Sequence, residues 1–166
     1  MSTKSPRQVQ PERVEKISNA AFQGAQLDSF VMRSIEMVIR FEKSDSKGRL
    51  RGFQISSLNH VDRMNSCSSH PNADFHGRRK LLLPELYSLL GQEVASAQLD
   101  DDQRLVVSFS NDVSLVFSNE PEEVFDPLDI NWSLEFDDGL ESASGIQSLS
   151  CILSETGEVE FYECAD

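Results

Sequence analysis

Past residue 83 the chain carries almost no positive charge. Residues 84–166 hold one basic side chain, Arg104, against 20 Asp and Glu, a balance of −19. Residues 1–83 hold the other 14 Lys and Arg against eight acids, or +6, and the two halves sum to the −13 of the whole. This scarcity argues against direct nucleic-acid binding by the second half, because phosphate is gripped by Lys and Arg. Long apolar runs are missing too: none approaches the roughly 20 residues that span a bilayer. The N-terminus, MSTKSPRQVQPERVEK, lacks the apolar stretch of a secretory signal. Cysteine is sparse, and Cys67, Cys151 and Cys164 are odd in number and far apart, unlike a disulfide framework. The expectation is a soluble cytoplasmic protein with reduced thiols, not associated with membranes.

Catalytic signatures are absent as well. The chain contains no G-x-S-x-G elbow, no GxxxxGK[ST] phosphate loop and no D-x-D-x-D-G calcium loop. No enzymatic activity and no cofactor are therefore expected.

What is present is a β-meander grammar. Leu105, Val107 and Phe109 alternate with Val106 and Ser108, and Val113, Leu115 and Phe117 alternate with Ser114, Val116 and Ser118. A period of two marks a half-buried strand. Asn111-Asp112 between these runs supplies turn residues that tolerate left-handed backbone. Ile35–Glu42 reads as a strand, the loop KSDSKGR as a hairpin connection, and Leu50, Phe53 and Ile55 as the return. Ile130, Trp132, Leu134 and Phe136 alternate cleanly, which places Trp132 in the core, and a closing hairpin turns at Glu155-Thr156-Gly157. With 166 residues, 39% of them hydrophobic, the chain suffices for one domain. The fold class read from these signals is α+β, mostly antiparallel sheet, with short helices.

Residues 1–10 read as a disordered leader and residues 11–166 as a single domain. Pro11-Glu12 opens a helical pattern through Val14, Ile17, Ala20 and Ala21 that closes at Gly24. Pro84-Glu85 opens a second, shorter turn that closes at Gly91. Met37, Val38, Ile39 and Phe41 align with Leu105, Val106, Val107 and Phe109, so residues 11–58 and 84–118 form two candidate repeat units. The meanders would then join in one larger sheet or pack as two pseudo-symmetric halves. Residues 59–80 between them read as a long exposed loop.

Candidate chemistry is of three kinds. His60, Cys67, His70 and His76 fall within the loop and carry zinc-ligand chemistry, but H-x6-C-x2-H-x5-H matches no standard zinc spacing. A loop that happens to be rich in histidine is the plain alternative, and a metal-dependent enzyme using His60–His76 is the sharper one. The run Arg78-Arg79-Lys80 reads as a solvated face. The acidic residues Asp100, Asp101, Asp102, Glu122, Glu123, Asp126, Asp137 and Asp138 fall in predicted turns around the central meander. Acid–base catalysis needs carboxylates in contrasting environments, which water-exposed turns do not supply. These eight are instead the candidate contacts for a basic protein partner. The plain reading of the acidity is solubility and protected strand edges.

The stretch LLGQEVASAQLDDDQRLVVSFSNDVSLVF, residues 89–117, resembles a bacterial pattern: a glycine shortly before a valine, a strand, then L-x-V-x-F, an Asn/Asp turn and a further strand. The pattern occurs in small acidic immunity proteins of polymorphic and contact-dependent toxin systems and in related β-meander proteins. This chain has Asn111-Asp112 where a glycine often stands in the second turn. The resemblance implies a cytosolic, non-enzymatic protein that binds and blocks one toxin domain; the acidic half of this chain would suit a basic, nucleic-acid-cleaving one. It carries over no contact residues. The alternative from another class is an acidic DNA mimic that inhibits a nucleic-acid-binding enzyme, which the +6 half disfavours.

Overall fold

Period-two alternation sorts the side chains of a seven-stranded antiparallel sheet into rows. A computed structural model describes residues 5–33, 35–58, 61–64, 74–119, 130–137, 140, 145–154 and 156–165. The large sheet is built from β1 (Arg7–Val9), β2 (Gln26–Met32), β3 (Met37–Ser44), β4 (Leu50–Ser57), β9 (Ile130–Phe136), β10 (Ile146–Leu153) and β11 (Val159–Ala165), in the order β1-β11-β10-β9-β4-β3-β2. One inward row crosses six of these strands as Met37, Ser57, Trp132, Cys151, Phe161 and Val9. All six are buried. The opposite face carries Arg40, Gln54, Glu135 and Ser148 in one row and Ser56, Ser133, Ser150 and Tyr162 in the next.

A second, four-stranded sheet has the order β5-β8-β7-β6, from β5 (Val61–Arg63), β6 (Val94–Leu99), β7 (Leu105–Phe109) and β8 (Ser114–Phe117). The molecule is α+β and mostly antiparallel, with helices α1 (Pro11–Phe22) and α2 (Phe75–Leu89). Its core holds an aromatic knot. Phe22 at the end of α1 sits edge-on to Phe41 and to Phe53, each at 4.8 Å between centroids. Phe41 also stacks on Phe109 of the small sheet at 6.4 Å. Edge-to-face pairs of this kind add about 0.5–1.5 kcal/mol each beyond their area.

The stretches that follow the two helices, residues 24–32 and 91–99, share one backbone pattern. Gly24 after α1 and Gly91 after α2 both take left-handed backbone, φ 76° and 75°. Leu27 pairs with Phe41 and Met32 with Met37, as Val94 pairs with Phe109 and Leu99 with Leu105. The ladder is interrupted at Leu27/Ser29 in one unit and at Val94/Ser96 in the other. The units then clasp each other. Gly24 N donates to Val94 O and Gly91 N to Leu27 O; Leu27 N donates to Gln92 O and Val94 N to Ala25 O, all at 2.7–3.1 Å. Exchanging the units maps this bond set onto itself, about the bridge between Gln26 and Glu93.

The structure corrects three expectations and decides between the two arrangements left open for the meanders. The leader is not wholly disordered: β1 pairs with β11, where Glu163 holds Arg13 of α1 at 2.6 Å and lies 3.6 Å from Arg7. Pro84 does not open the second helix. It lies inside α2, which starts nine residues earlier behind Asp74, whose side chain accepts from Gly77 N at 2.7 Å. The 59–80 segment is therefore not one loop, since β5 and the first turns of α2 lie in it. The two meanders occupy separate sheets rather than one.

The sheets are tied by Asn119, which is buried at the end of β8. Its amide nitrogen donates to Asp102 O at 3.1 Å and Gln103 O at 2.6 Å. Its amide oxygen accepts from Trp132 Nε1 at 3.3 Å and from Cys151 Sγ at 3.4 Å. Removing a fully used buried amide leaves several polar atoms unpaired, each worth about 1–3 kcal/mol. Asn119→Ala is accordingly expected to lower stability by about 2–3 kcal/mol in urea unfolding followed by Trp132 fluorescence; a loss below about 0.5 kcal/mol, the range of neutral surface changes, would show the node to be dispensable.

The hairpin turn Asp45–Arg49 offers a pH test. Asp45 accepts from Lys47 N, Arg49 N and Arg49 Nε at 2.8–2.9 Å. The Arg49 backbone bond first, with Arg49's side chain and Lys47 N behind it, holds the carboxyl below its ordinary value. A depressed folded-state pKa contributes stability above the unfolded value and loses it as pH falls through the folded one. The melting-temperature gap between wild type and Asp45→Asn should thus be constant above about pH 4 and close in more acid solution. A gap that widens with acid would contradict this.

Candidate functional site

The acidic turn between β6 and β7 is the best-defined group of the predicted contact residues. Asp100 Oδ1 accepts from Asp102 N at 3.0 Å and Arg104 N at 2.9 Å, and Oδ2 accepts from Arg104 Nε at 2.8 Å. Gln103 N closes the turn on Asp100 O, with Gln103 left-handed at φ 59°. The Asp45–Arg49 turn has the same bonds in the same places, with Gly48 at φ 73°. Both loops read D-x-x-x-R. A carboxylate at the first position ties down two backbone N–H groups and the arginine, which builds a rigid loop. Asp100 is therefore a turn-forming residue, and its oxygens are engaged within the chain.

Asp101 and Asp102 are the carboxylates this turn presents. Both are exposed, and Asp102 Oδ2 lies 3.4 Å from Arg104 Nη2. Because Asn119 grips the carbonyls of Asp102 and Gln103 from beneath, the two side chains stand on an anchored backbone. Asp137 stands apart on the large sheet. It accepts from Arg40 Nη2 at 2.7 Å and from Gly52 N at 3.1 Å, and the bond from Arg40 raises the arginine's pKa. A Cβ at position 52 would overlap the Arg40 guanidinium, so glycine is needed for the pair to cross the strand. The structure thus unites Asp100, Asp101 and Asp102, and gives Asp137 a different, internal partner. Glu122, Glu123, Asp126 and Asp138 lie outside the described residues.

The histidine loop is described only in part. His60, Cys67 and His70 lie outside the described residues, and His76 is exposed on the first turn of α2 against the Phe75 ring. Among the described residues no three His, Cys, Asp or Glu side chains come together as a metal site. Arg79 departs from the solvated-face reading. It is 4% exposed, its guanidinium lies 4.3 Å from the Phe75 ring centroid, and it donates to the carbonyls of Arg33, Ser57 and Leu58. Cys151 is buried, and burial pushes its thiol up to about 12, which keeps it protonated and a poor nucleophile at neutral pH.

Sequence reasoning missed one concave feature, a cleft of about 420 Å³ beside the clasp. Gly24 and Gly91 line it, so the C-terminal ends of both helices open there, along with Asp28 and Glu42. Helix C-termini favour cations, and the chain supplies one: Lys43 Nζ donates to Ala20 O of α1 at 3.0 Å. Burial lowers the lysine's pKa. The signal in the sequence was the pair of glycines, each closing a helical pattern.

Comparison with protein-family models, curated proteins and solved structures finds no match to this chain. Among the described residues no helix is long and apolar enough to cross a membrane.

The three aspartates of the turn separate experimentally. Asp100→Ala is expected to lose about 1–2 kcal/mol through its unpaired backbone donors, whereas Asp101→Asn and Asp102→Asn stay within about 0.5 kcal/mol. Equal losses for all three in urea unfolding would remove the distinction between anchor and presented charge.

Proposed function

We propose that this chain is a non-enzymatic binding protein of the immunity or inhibitor type, which occludes a basic protein partner such as a toxin or nuclease domain. The observation that carries the reading is the anchored pair Asp101 and Asp102, exposed on a rigid turn in a half of the chain with a balance of −19. Fixed charges on a pre-formed loop lose little freedom on binding, and a field of one sign speeds encounter with a partner of the other. The same surface offers a poor DNA mimic. A duplex carries a charge about every 1.7 Å along its axis, whereas here Asp100 and Asp137 are taken up by Arg104 and Arg40. Rim charges of this kind act mainly on association rate.

The test is affinity capture from the native source under nuclease treatment, with wild type and the double variant Asp101→Lys/Asp102→Lys compared at low and high salt. The reading expects one stoichiometric basic protein, released by salt, with association to the variant slowed at least about tenfold at low salt and no change in melting temperature. Equal capture by both proteins, or no basic partner, contradicts it.

A further inference from the structure

We propose that the chain self-associates through β2, two copies pairing antiparallel about Val31 to continue the seven-stranded sheet across the interface. The segments around the clasp correspond, from Gly24 to Met32 and from Gly91 to Leu99. β2 and β6 hold the same place in each, and both are edge strands. At the end of β2, Arg33 N donates to Glu36 O across the turn at 2.8 Å. Alternation along an antiparallel ladder then turns the backbone of Val31 toward β3 and that of Phe30 and Met32 away from it. In β6, Asp100 N donates to Arg104 O at 3.0 Å, so Ala97 and Leu99 face away from β7 in the same manner.

The two edges are finished differently. Helix α1 closes β6: Asn19 Oδ1 accepts from Ala97 N at 3.2 Å and Glu15 Oε1 from Leu99 N at 3.0 Å. The matching positions of α2 carry Leu82 and Leu86, both buried and without hydrogen-bonding groups. Phe30 N and Met32 N accordingly find no partner among the described residues. Past the irregularity at Leu27/Ser29, an edge with unpaired amides is a template for another strand.

The occupant that fits is a second copy. Phe30 and Met32 flank Val31 symmetrically. A two-fold axis at Val31 sets Phe30 opposite Met32 of the other copy, so the two outward-directed amides and two carbonyls of each copy satisfy those of its mate. The same register brings Arg33, whose guanidinium already donates to Glu36 at 2.6 Å, opposite Ser29 and beside Asp28 of the other copy. Val31 is 52% exposed and Ile35 50% exposed at this edge. Tyr87, 66% exposed, stands edge-on to Phe30 at 5.1 Å. One strand pair is smaller than the roughly 1,600 Å² of a standard interface, so the dimer is reversible.

Sedimentation across a wide concentration range, on wild type and Val31→Lys, tests this. Two lysines would face each other where side chains approach closest, and like charges there oppose pairing. Wild type is expected to dimerise reversibly, and Val31→Lys to weaken the dimer by at least about tenfold with an unchanged melting temperature. Amide exchange gives a second readout. Phe30 and Met32 should slow as concentration rises, while Ala97 and Leu99 are protected at every concentration. A monomer throughout, with Phe30 and Met32 exchanging fast, overturns the proposal. So does a dimer indifferent to Val31→Lys, or protection of those amides only by an added foreign peptide.

Discussion

The structure depends on the antiparallel clasp between residues 24–27 and 91–94. Four backbone hydrogen bonds there join two segments that are each the exit from a helix and the entrance to an edge strand. Their geometry needs Gly24 and Gly91, because a side chain at φ near 75° strains the backbone. Once the clasp is made, the direction of each helix relative to its meander follows. Phe22 is delivered to Phe41 and Phe53, α1 lies along β6, and Tyr87 of α2 meets Phe30 of β2. The near-symmetry also exposes where the halves differ. One edge is closed by Asn19 and Glu15, and at the other Phe30 N and Met32 N find no partner among the described residues.

Charge follows a similar division between framework and surface. Several carboxylates that look alike in the sequence are internal fittings: Asp45 and Asp100 fold their turns, Asp137 holds Arg40 and Gly52, and Glu163 joins β11 to α1. What they leave over is presented by the turns they stabilise. Asp101 and Asp102 owe their placement to Asp100 above and Asn119 beneath. The acidity of the second half is thus partly structural, and the exposed carboxylates of this turn stand on backbone held from both sides.

Strands were the most legible elements, because half-buried strands write their alternation directly, as in Leu105–Phe109 and Ile130–Phe136. α2 was not legible. Pro84 and Gly77 interrupt its pattern, and Leu81-Leu82-Leu83 blurs the apolar stripe that should betray a helix. β1 was hidden because a three-residue edge strand has no period to read, and its partner β11 lies at the far end of the chain. The candidate site was legible in its charges and not in their roles. The spacing D-x-x-x-R at Asp45–Arg49 and Asp100–Arg104 was the available sign that the first aspartate belongs to the turn. Arg79 reads as surface within a basic run, and only the carbonyls of Arg33, Ser57 and Leu58, brought together by folding, account for its burial.

Residue-resolved native-state hydrogen exchange at the clasp tests the central claim most directly. If the two units stand only together, the amides of Gly24, Leu27, Gly91 and Val94 open with one shared free energy equal to that of global unfolding. If those amides exchange through a cheaper opening, or if one meander opens while the other stays protected, the clasp is an ornament on two independent units and the account fails.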